Sequence, residues 1–185
     1  MSKQRLSKLD APKDLINDEK IMAEDDFIVS KTDTKGLITY CNRIFVDMAG
    51  YSIDELIGAN HNLIRHPDMP KIAFKVAWDL ISSGKEFFGF VKNLRKNGGH
   101  YWVFAYITAD YNKTGNIIGY SSFRRRPTRS AIEAIEPVYA QLVEAEKKGG
   151  TEASGKLLAD FLKQNNTTYN ELVFALQNAE DSENE

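Results

Sequence analysis

The sequence predicts an α+β domain: a five-stranded antiparallel sheet with short helices over one face, and flanking helices at both ends. Three observations predict it. Two short β-branched and aromatic runs meet at a Gly turn early in the chain, and three long runs separated by Asn- and Gly-rich turns come later. Short helical segments with recognisable caps lie between the two groups. The 185 residues are 42% apolar and include 10 Phe, 8 Tyr and 2 Trp, enough to bury a core and to exclude wholesale disorder.

The elements follow in order. Residues 1–25 are polar and charged, with scattered apolar residues from Leu6 to Met22, and read as a frayed or helical N-terminal cap. From Asp26 the texture changes. Phe27 to Asp33 is a strand, Thr34-Lys35-Gly36 a turn, and Leu37 to Tyr40 the returning strand of a hairpin. Asn42 stands where a helix begins, because its side chain can accept from the free N–H groups of the first turn. Ile44, Phe45, Met48 and Ala49 follow at helical spacing, and Gly50 closes the helix. Ser52 and Glu55 form a capping box for a one-turn helix ending at Gly58.

Residues 59–70 are polar and punctuated by Pro67 and Pro70. Pro70 starts a helix whose main apolar positions are Ile72, Phe74, Val76, Ala77, Leu80 and Ile81, with Trp78 among them. Three strands follow, at 87–95, 100–111 and 116–125. The domain these elements form spans 26–127. Thr128 caps a flanking helix, 128–147, with Ile132, Ile135, Tyr139 and Leu142 on one stripe and Pro137 as a kink. Residues 148–155 read as a linker, 156–179 as a second helix broken near Asn165–Thr168, and 180–185 as a disordered acidic tail.

Composition excludes several functions. With 24 Lys+Arg against 26 Asp+Glu the formal charge is −2, unlike a protein that binds by neutralising many phosphates. Arg124, Arg125, Arg126 and Arg129 therefore read as a charged strand end, especially with Glu133 and Glu136 close behind, and no nucleic acid is expected. The single cysteine, Cys41, excludes an internal disulfide framework and a Cys-rich metal site, and reads as a small core residue. The N-terminus lacks the apolar stretch of a secretory signal, and no run reaches the roughly 18–20 apolar residues of a membrane helix. A cytoplasmic protein with no direct membrane insertion is expected. No Ser–His–Asp set, Walker loop or metal-ligand spacing is present, so neither catalytic nor metal-binding residues are expected.

Two stretches carry the sharper reading. The first is Asp33, Gly36, Ile38, Asn42, Phe45, Gly50-Tyr51 and Glu55-Leu56-Ile57-Gly58. The second is Asn60-His61-Asn62-Leu63-Ile64-Arg65-His66-Pro67-Asp68-Met69-Pro70, then Phe74, Trp78, and the strands Gly89 to Gly98 and His100 to Val103. The first resembles the opening of a PAS sensor domain. The second resembles the FAD-binding PAS domain of the Aer aerotaxis receptor family, over about 26–140.

That resemblance implies non-covalent FAD and links it to the positions that here are Asn42, Arg65, His66, Asp68, Phe74 and Asn93. Phe88 stands where the aerotaxis domain has Trp, keeping a ring but losing the indole N–H. The aerotaxis receptor continues into membrane and signalling segments, whereas this chain stops at Glu185. In that respect it resembles the stand-alone PAS partner of bipartite energy-taxis receptors (CetB-like). The implied partner is a methyl-accepting chemotaxis transducer or HAMP-containing membrane protein, which would hold the chain at the inner membrane. A second copy, giving a homodimer, is the other candidate partner.

The residues can be read without the resemblance. Arg65 offers a planar fork of donors suited to a pyrophosphate, Asp68 can hold Arg65 or accept from a ribose hydroxyl, and His66 is a donor that titrates near neutrality. A solvated loop with a local ion pair accounts for the same three residues. Asn93 faces a pocket if the odd-numbered positions 89–93 do, and a buried amide needs partners. Phe74, Trp78 and Phe88 serve as core or as the apolar box around a flavin. The expected function is a non-enzymatic redox sensor for energy taxis. Its rivals are a PAS module for haem, through His66 or His61, or for another small ligand, and a ligand-free PAS adaptor.

Overall fold

A computed structural model of the chain describes residues 5–179. The first four residues of the expected cap and the whole expected acidic tail, 180–185, lie outside the described residues.

The strands are β1 (Ile28–Asp33), β2 (Ile38–Cys41), β3 (Phe87–Leu94), β4 (His100–Tyr111) and β5 (Ile117–Arg125). They form one antiparallel sheet in the order β2-β1-β5-β4-β3. The β3–β4–β5 meander follows from its Asn/Gly turns. The less local step is β1 against β5, Ile28 opposite Arg124 through Asp33 opposite Gly119, which seats the N-terminal hairpin beside the meander.

Between the two groups of strands lie α1 (Arg43–Ala49), α2 (Ile53–Leu56), a 3-10 turn (His61–Ile64) and α3 (Lys71–Ser82). The expected caps form. Asn42 accepts from the N–H of Phe45, and Ser52 and Glu55 complete a capping box. These elements cover the inner face of the sheet, to which Ser30, Val91, Asn93, Tyr101, Val103, Ser122 and Arg124 belong by register. Phe45, Leu56, Leu63, Ile64, Tyr101 and Val103 form the core at one end of that face.

The outer face carries the alternate residues Phe88, Phe90, Lys92, Trp102, Phe104 and Tyr106, and the C-terminal helices close on it. Helix α4 (Arg129–Gln164) sets Ile132, Ile135, Tyr139 and Leu142 in the second core cluster with Phe90, Trp102 and Phe104. The expected stripe therefore packs on the chain's own sheet. Tyr139 donates to the carbonyl of Phe90 (2.9 Å). Its one proton is thereby committed, so the Tyr169 hydroxyl, 2.7 Å away, donates to Tyr139.

Three expectations need correction. The N-terminal segment is not a helix beyond a 3-10 turn at Lys8–Asp10. It runs extended along the β3–β4 turn, with Ile16 N–H donating to Gly98 O (3.0 Å) and Lys20 N–H to His100 O (2.8 Å). Backbone groups at the end of the meander need partners, and this segment supplies them. The linker 148–155 is not a linker: α4 bends at Gly149–Gly150 and resumes helical geometry at once, with Ser154 fully buried. Gly150 has φ +68°, a left-handed conformation that glycine adopts without steric cost. Pro137 does not break the helix, as helical dihedrals run through it, and the break falls at the glycines instead. The expected break near Asn165–Thr168 is present, and α5 (Tyr169–Asn178) follows with a Thr168–Glu171 capping box.

Candidate functional site

Between α3, the 3-10 turn and the inner face lies a cavity of about 520 Å³. That falls within the ~300–1,000 Å³ of pockets that hold drug-sized ligands. Its floor is strand: Ser30, Val91, Asn93, Ala105, Ile107, Ser122 and Arg124, delivered by β-sheet alternation. Its wall is α3, which turns Phe74, Ala77, Trp78 and Ile81 toward it. Trp78 is 41% exposed and meets the Tyr120 ring edge-on at 5.3 Å, where the cavity opens. Lys35, Lys71 and Lys75 are exposed on the lining, and Arg65 lays its guanidinium 4.1 Å from the Phe74 ring centroid. Among the described residues, the lining holds five Lys and Arg and no carboxylate.

The inner end is polar and incompletely partnered. Asn93 is 3% exposed, and its Nδ2 has no hydrogen-bond partner. Arg124, also 3% exposed, donates from one terminal nitrogen to Ser30 Oγ and sits over the Phe45 ring at 4.7 Å. Its Nε and Nη1 have no partner. Burial pushes the guanidinium down to about 10, with Tyr101 and Cys41 opposing. His61 stacks on Phe45 at 5.6 Å, with Nε2 3.2 Å from Ser30 Oγ and 3.3 Å from Arg124. Burial, then the charge of Arg124, push His61 down to about 3, so its ring is neutral at pH 7. Buried donors without acceptors cost free energy. Here they belong to two residues of the cavity lining, and a small side-chain shift would bring them to an acceptor-rich ligand edge.

The residues expected at the site divide in two. Arg65, Phe74, Trp78 and Asn93 line the cavity. Asn42, His66, Asp68 and Phe88 do not. Asn42 is occupied as a clasp: it caps α1, accepts from Val29 N–H (3.1 Å) and donates to Phe27 O (2.7 Å). Phe88 lies on the outer face, 4.8 Å from Tyr106 and 4.4 Å from Phe174. His66 is buried beside His100, at 5.8 Å, and its Nδ1 accepts the N–H of Asp68 (3.2 Å). That bond requires an unprotonated Nδ1. It agrees with burial pushing the ring down to about 4, with Lys92 and His100 adding and Asp68 opposing. Asp68 accepts from Lys92 (2.8 Å), and Lys92 also reaches Glu136 on α4 (3.3 Å). Burial raises the Asp68 carboxyl, but the Lys92 hydrogen bond and the charges of Lys92, His66 and His100 outweigh it and hold it below its ordinary value. His66 and Asp68 thus brace the loop from behind while Arg65 faces the cavity.

Arg124, His61 and the lining lysines Lys35, Lys71 and Lys75 escape sequence reasoning. Arg124 read as part of a charged strand end, and its neighbours do meet that description: Arg126 pairs with Glu24, and Arg125 covers Phe104. His61 was weighed only as a haem ligand, whereas its Nε2 faces Ser30 and Arg124.

Comparison with known proteins agrees with this architecture. The family described as "PAS fold" matches residues 38–124. The chain is 46% identical to the aerotaxis receptor of Escherichia coli (strain K12) over 121 residues, 65% of this chain and 24% of the receptor. It is 30% identical to the bacterioopsin transcriptional activator of Halobacterium salinarum over 97 residues, 52% of this chain and 14% of that protein. The matched stretch is thus a quarter or less of either relative's length. Among solved structures, a Light-Oxygen-Voltage domain from a flavin-analogue study superposes with a TM-score of 0.52 at 22% identity, covering 59% of this chain and 82% of that one. The dark structure of the blue-light photoreceptor Aureochrome1 LOV gives 0.51 at 22% identity, covering 68% and 86%. At that identity the likeness concerns the fold.

Proposed function

We propose that residues 26–127 form a PAS domain that binds FAD non-covalently in the inner-face cavity and works as a cytoplasmic redox sensor for energy taxis. The observation that carries this reading is the cavity lining: five cations, no carboxylate among the described residues, and buried donors without partners. An anionic ligand with an acceptor-rich edge fits that set. Asn93 and Arg124 would serve the acceptor edge of the flavin ring, Phe74 and Trp78 its flat faces, and Arg65 with Lys71 and Lys75 the diphosphate. The similarity to the aerotaxis receptor supports the same choice. A ligand-free adaptor leaves the buried donors unexplained. Haem would need an axial ligand, and His61 Nε2 already faces Ser30 and Arg124.

When bound, the flavin supplies a group whose charge and protonation change with redox state. This chain's residues hold it, keep water from it and register the change. The signal leaves through the sheet to α4 and α5 and from there to a transducer of the methyl-accepting kind, which also accounts for a position beside the membrane. No helix among the described residues is long and apolar enough to cross one.

The test is the visible spectrum of the purified protein, with chromatography of the cofactor released on denaturation. Flavin bands that bleach on reduction, and released FAD rather than FMN, are expected. A colourless protein that also fails to take up added FAD overturns the proposal. Capture of the transducer by oxidised and reduced protein tests the relay separately.

A further inference from the structure

The first turn of α3 is not capped from its own neighbourhood. Pro70 stands at the N-cap with no side-chain hydrogen bond, and no acidic residue lies in the first turn. The acceptor comes from α4, 74 residues away: Ile72 N–H donates to Glu146 Oε1 at 2.9 Å. The same oxygen accepts from Ser154 Oγ at 3.1 Å, on the far side of the Gly149–Gly150 bend. One residue further on, Gly155 closes on Ile72, where a Cβ would lie 3.3 Å from Ile72 Cδ1. Glu146, the fully buried Ser154 and Gly155 thus form one joint between the C-terminal helices and the N-terminus of α3.

That joint is also part of the cavity's electrostatics. Helix α3 is the cavity wall, and its first residue, Lys71, is on the lining with Arg65. A helix N-terminus carries positive partial charge, so Arg65, Lys71 and the start of α3 form one positive region. Glu146 places a carboxylate on that region from outside the cavity. Arg65 registers it: burial lowers its pKa, and the charge of Glu146 opposes the fall.

We infer that Glu146 is a specificity-determining residue of the cavity. Its carboxylate and an anionic group on the bound ligand draw on the same positive region, so each weakens the other's hold. This rests on the reading above, that the ligand is a flavin carrying phosphates. Two consequences follow. Glu146 discriminates against the phosphates without affecting the ring. By reciprocity, a phosphate-bearing flavin loosens the joint and frees 151–164 from α3, whereas a flavin without phosphates leaves it in place. The bend at Gly149–Gly150 is where that arm would swing.

Glu146→Gln separates charge from capping, because Gln keeps an oxygen that accepts from Ile72 and Ser154. Dissociation constants for FAD and riboflavin are measured on the full chain stripped of flavin, at low and high salt. In E146Q, FAD should bind about three- to fivefold more tightly at low salt, a gain that shrinks as salt screens the charge. Riboflavin should be unchanged. In the unsubstituted protein, amides across 151–164 should exchange faster with FAD bound than with riboflavin bound. Equal changes for both flavins, no change, or weaker FAD binding would overturn the inference and leave the flavin reading intact. If neither flavin binds, that reading fails, and inorganic pyrophosphate takes the place of FAD. Tighter pyrophosphate binding in E146Q would then uphold the joint's role, and unchanged or absent binding would sink it as well.

Discussion

Replacing Arg124 by Met should leave the flavin-free protein about as stable while depriving it of its ligand. The buried guanidinium is held down at about 10, which amounts to about 3 kcal/mol of disfavour for its charged form relative to water. Against that stand the charge-assisted bond to Ser30, worth ~1.5–3 kcal/mol, and the contact over the Phe45 ring, worth ~1 kcal/mol. Met keeps an unbranched apolar stem over Phe45, and Ser30 keeps His61 as a partner. No void opens in a packed region, because the side chain already lines a cavity. The two sides cancel to within about 1 kcal/mol, in line with the general finding that replacing buried charge with apolar side chains is often neutral.

Ligand affinity should move the other way. A lost charge-assisted contact costs ~1.5–3 kcal/mol, roughly ten- to over a hundredfold in the dissociation constant. Urea unfolding of the stripped protein and flavin titration of the same sample read the two effects together. A stripped variant destabilised by more than about 1 kcal/mol would refute the energy balance and make Arg124 a structural residue. Undiminished flavin affinity would refute its place in the site.

Further outcomes follow from the same geometry. Arg65→Ala should purify largely free of flavin yet fold normally, checked by absorbance ratio and circular dichroism; full occupancy would show that its guanidinium serves only Phe74. His66 and His61 are held near 4 and 3 against an unfolded value near 6.5, so the unfolded chain takes up protons first as pH falls. Stability should therefore be full above about pH 7 and fall below it, down to about pH 4 for His66 and about pH 3 for His61, by about 2 kcal/mol per histidine from pH 7 to 5; His66→Gln should flatten that slope in urea titrations at the two pH values. Tyr139→Phe leaves the Phe90 carbonyl and the Tyr169 hydroxyl without their shared partner, costing ~1–3 kcal/mol and speeding amide exchange in α5 while flavin binding is kept. An unchanged unfolding midpoint would show that the tyrosine pair contributes nothing.

Much of this architecture was legible because local chemistry and tertiary need agree. The turns at Asn97-Gly98 and Asn112–Gly115 fixed the meander, and Asn42, Ser52 and Glu55 cap the helices that their side chains call for. Strand alternation groups Asn93 with Val91 and Gly89 on one face, and the resemblance makes that face the pocket. The same alternation runs outward through Lys92 and Phe90 to Phe88, so the sequence carried the signal that Phe88 belongs to the opposite face. Arg124 could have been found in the same way. It alternates with Ser122 and Tyr120 on β5, whereas Arg125 shares the other face with Phe123, but three consecutive arginines hide which one turns inward. The N-terminal segment and the 148–155 bend were not legible. Their conformation is set by partners 57 to 110 residues away: Arg65 for Lys8, Arg129 for Glu19, and Ile72 for Glu146.

Strand β3 is where the two halves of the molecule meet, and alternation makes the meeting short. Val91 and Asn93 face the cavity, while Phe90 and Lys92 face the C-terminal helices. Asn93, the amide with a donor left for a ligand, is one peptide from Lys92, which holds Asp68 in the ligand loop and Glu136 on α4. Two residues before Lys92, the carbonyl of Phe90 accepts from Tyr139. A change in what Asn93 bonds to need shift β3 only slightly to be felt at both anchors, because a packed interface switches between discrete arrangements more readily than it deforms. Glu146 offers a second route from the same cavity to the same helix, through α3 rather than the sheet. The two differ in what they sense. The route through Asn93 responds to the ring, and the route through Glu146 to the charge at the mouth. On the proposed reading, redox state alters the ring and leaves the phosphates unchanged, so redox signalling would belong to the β3 route, and the Glu146 joint would report which flavin is bound.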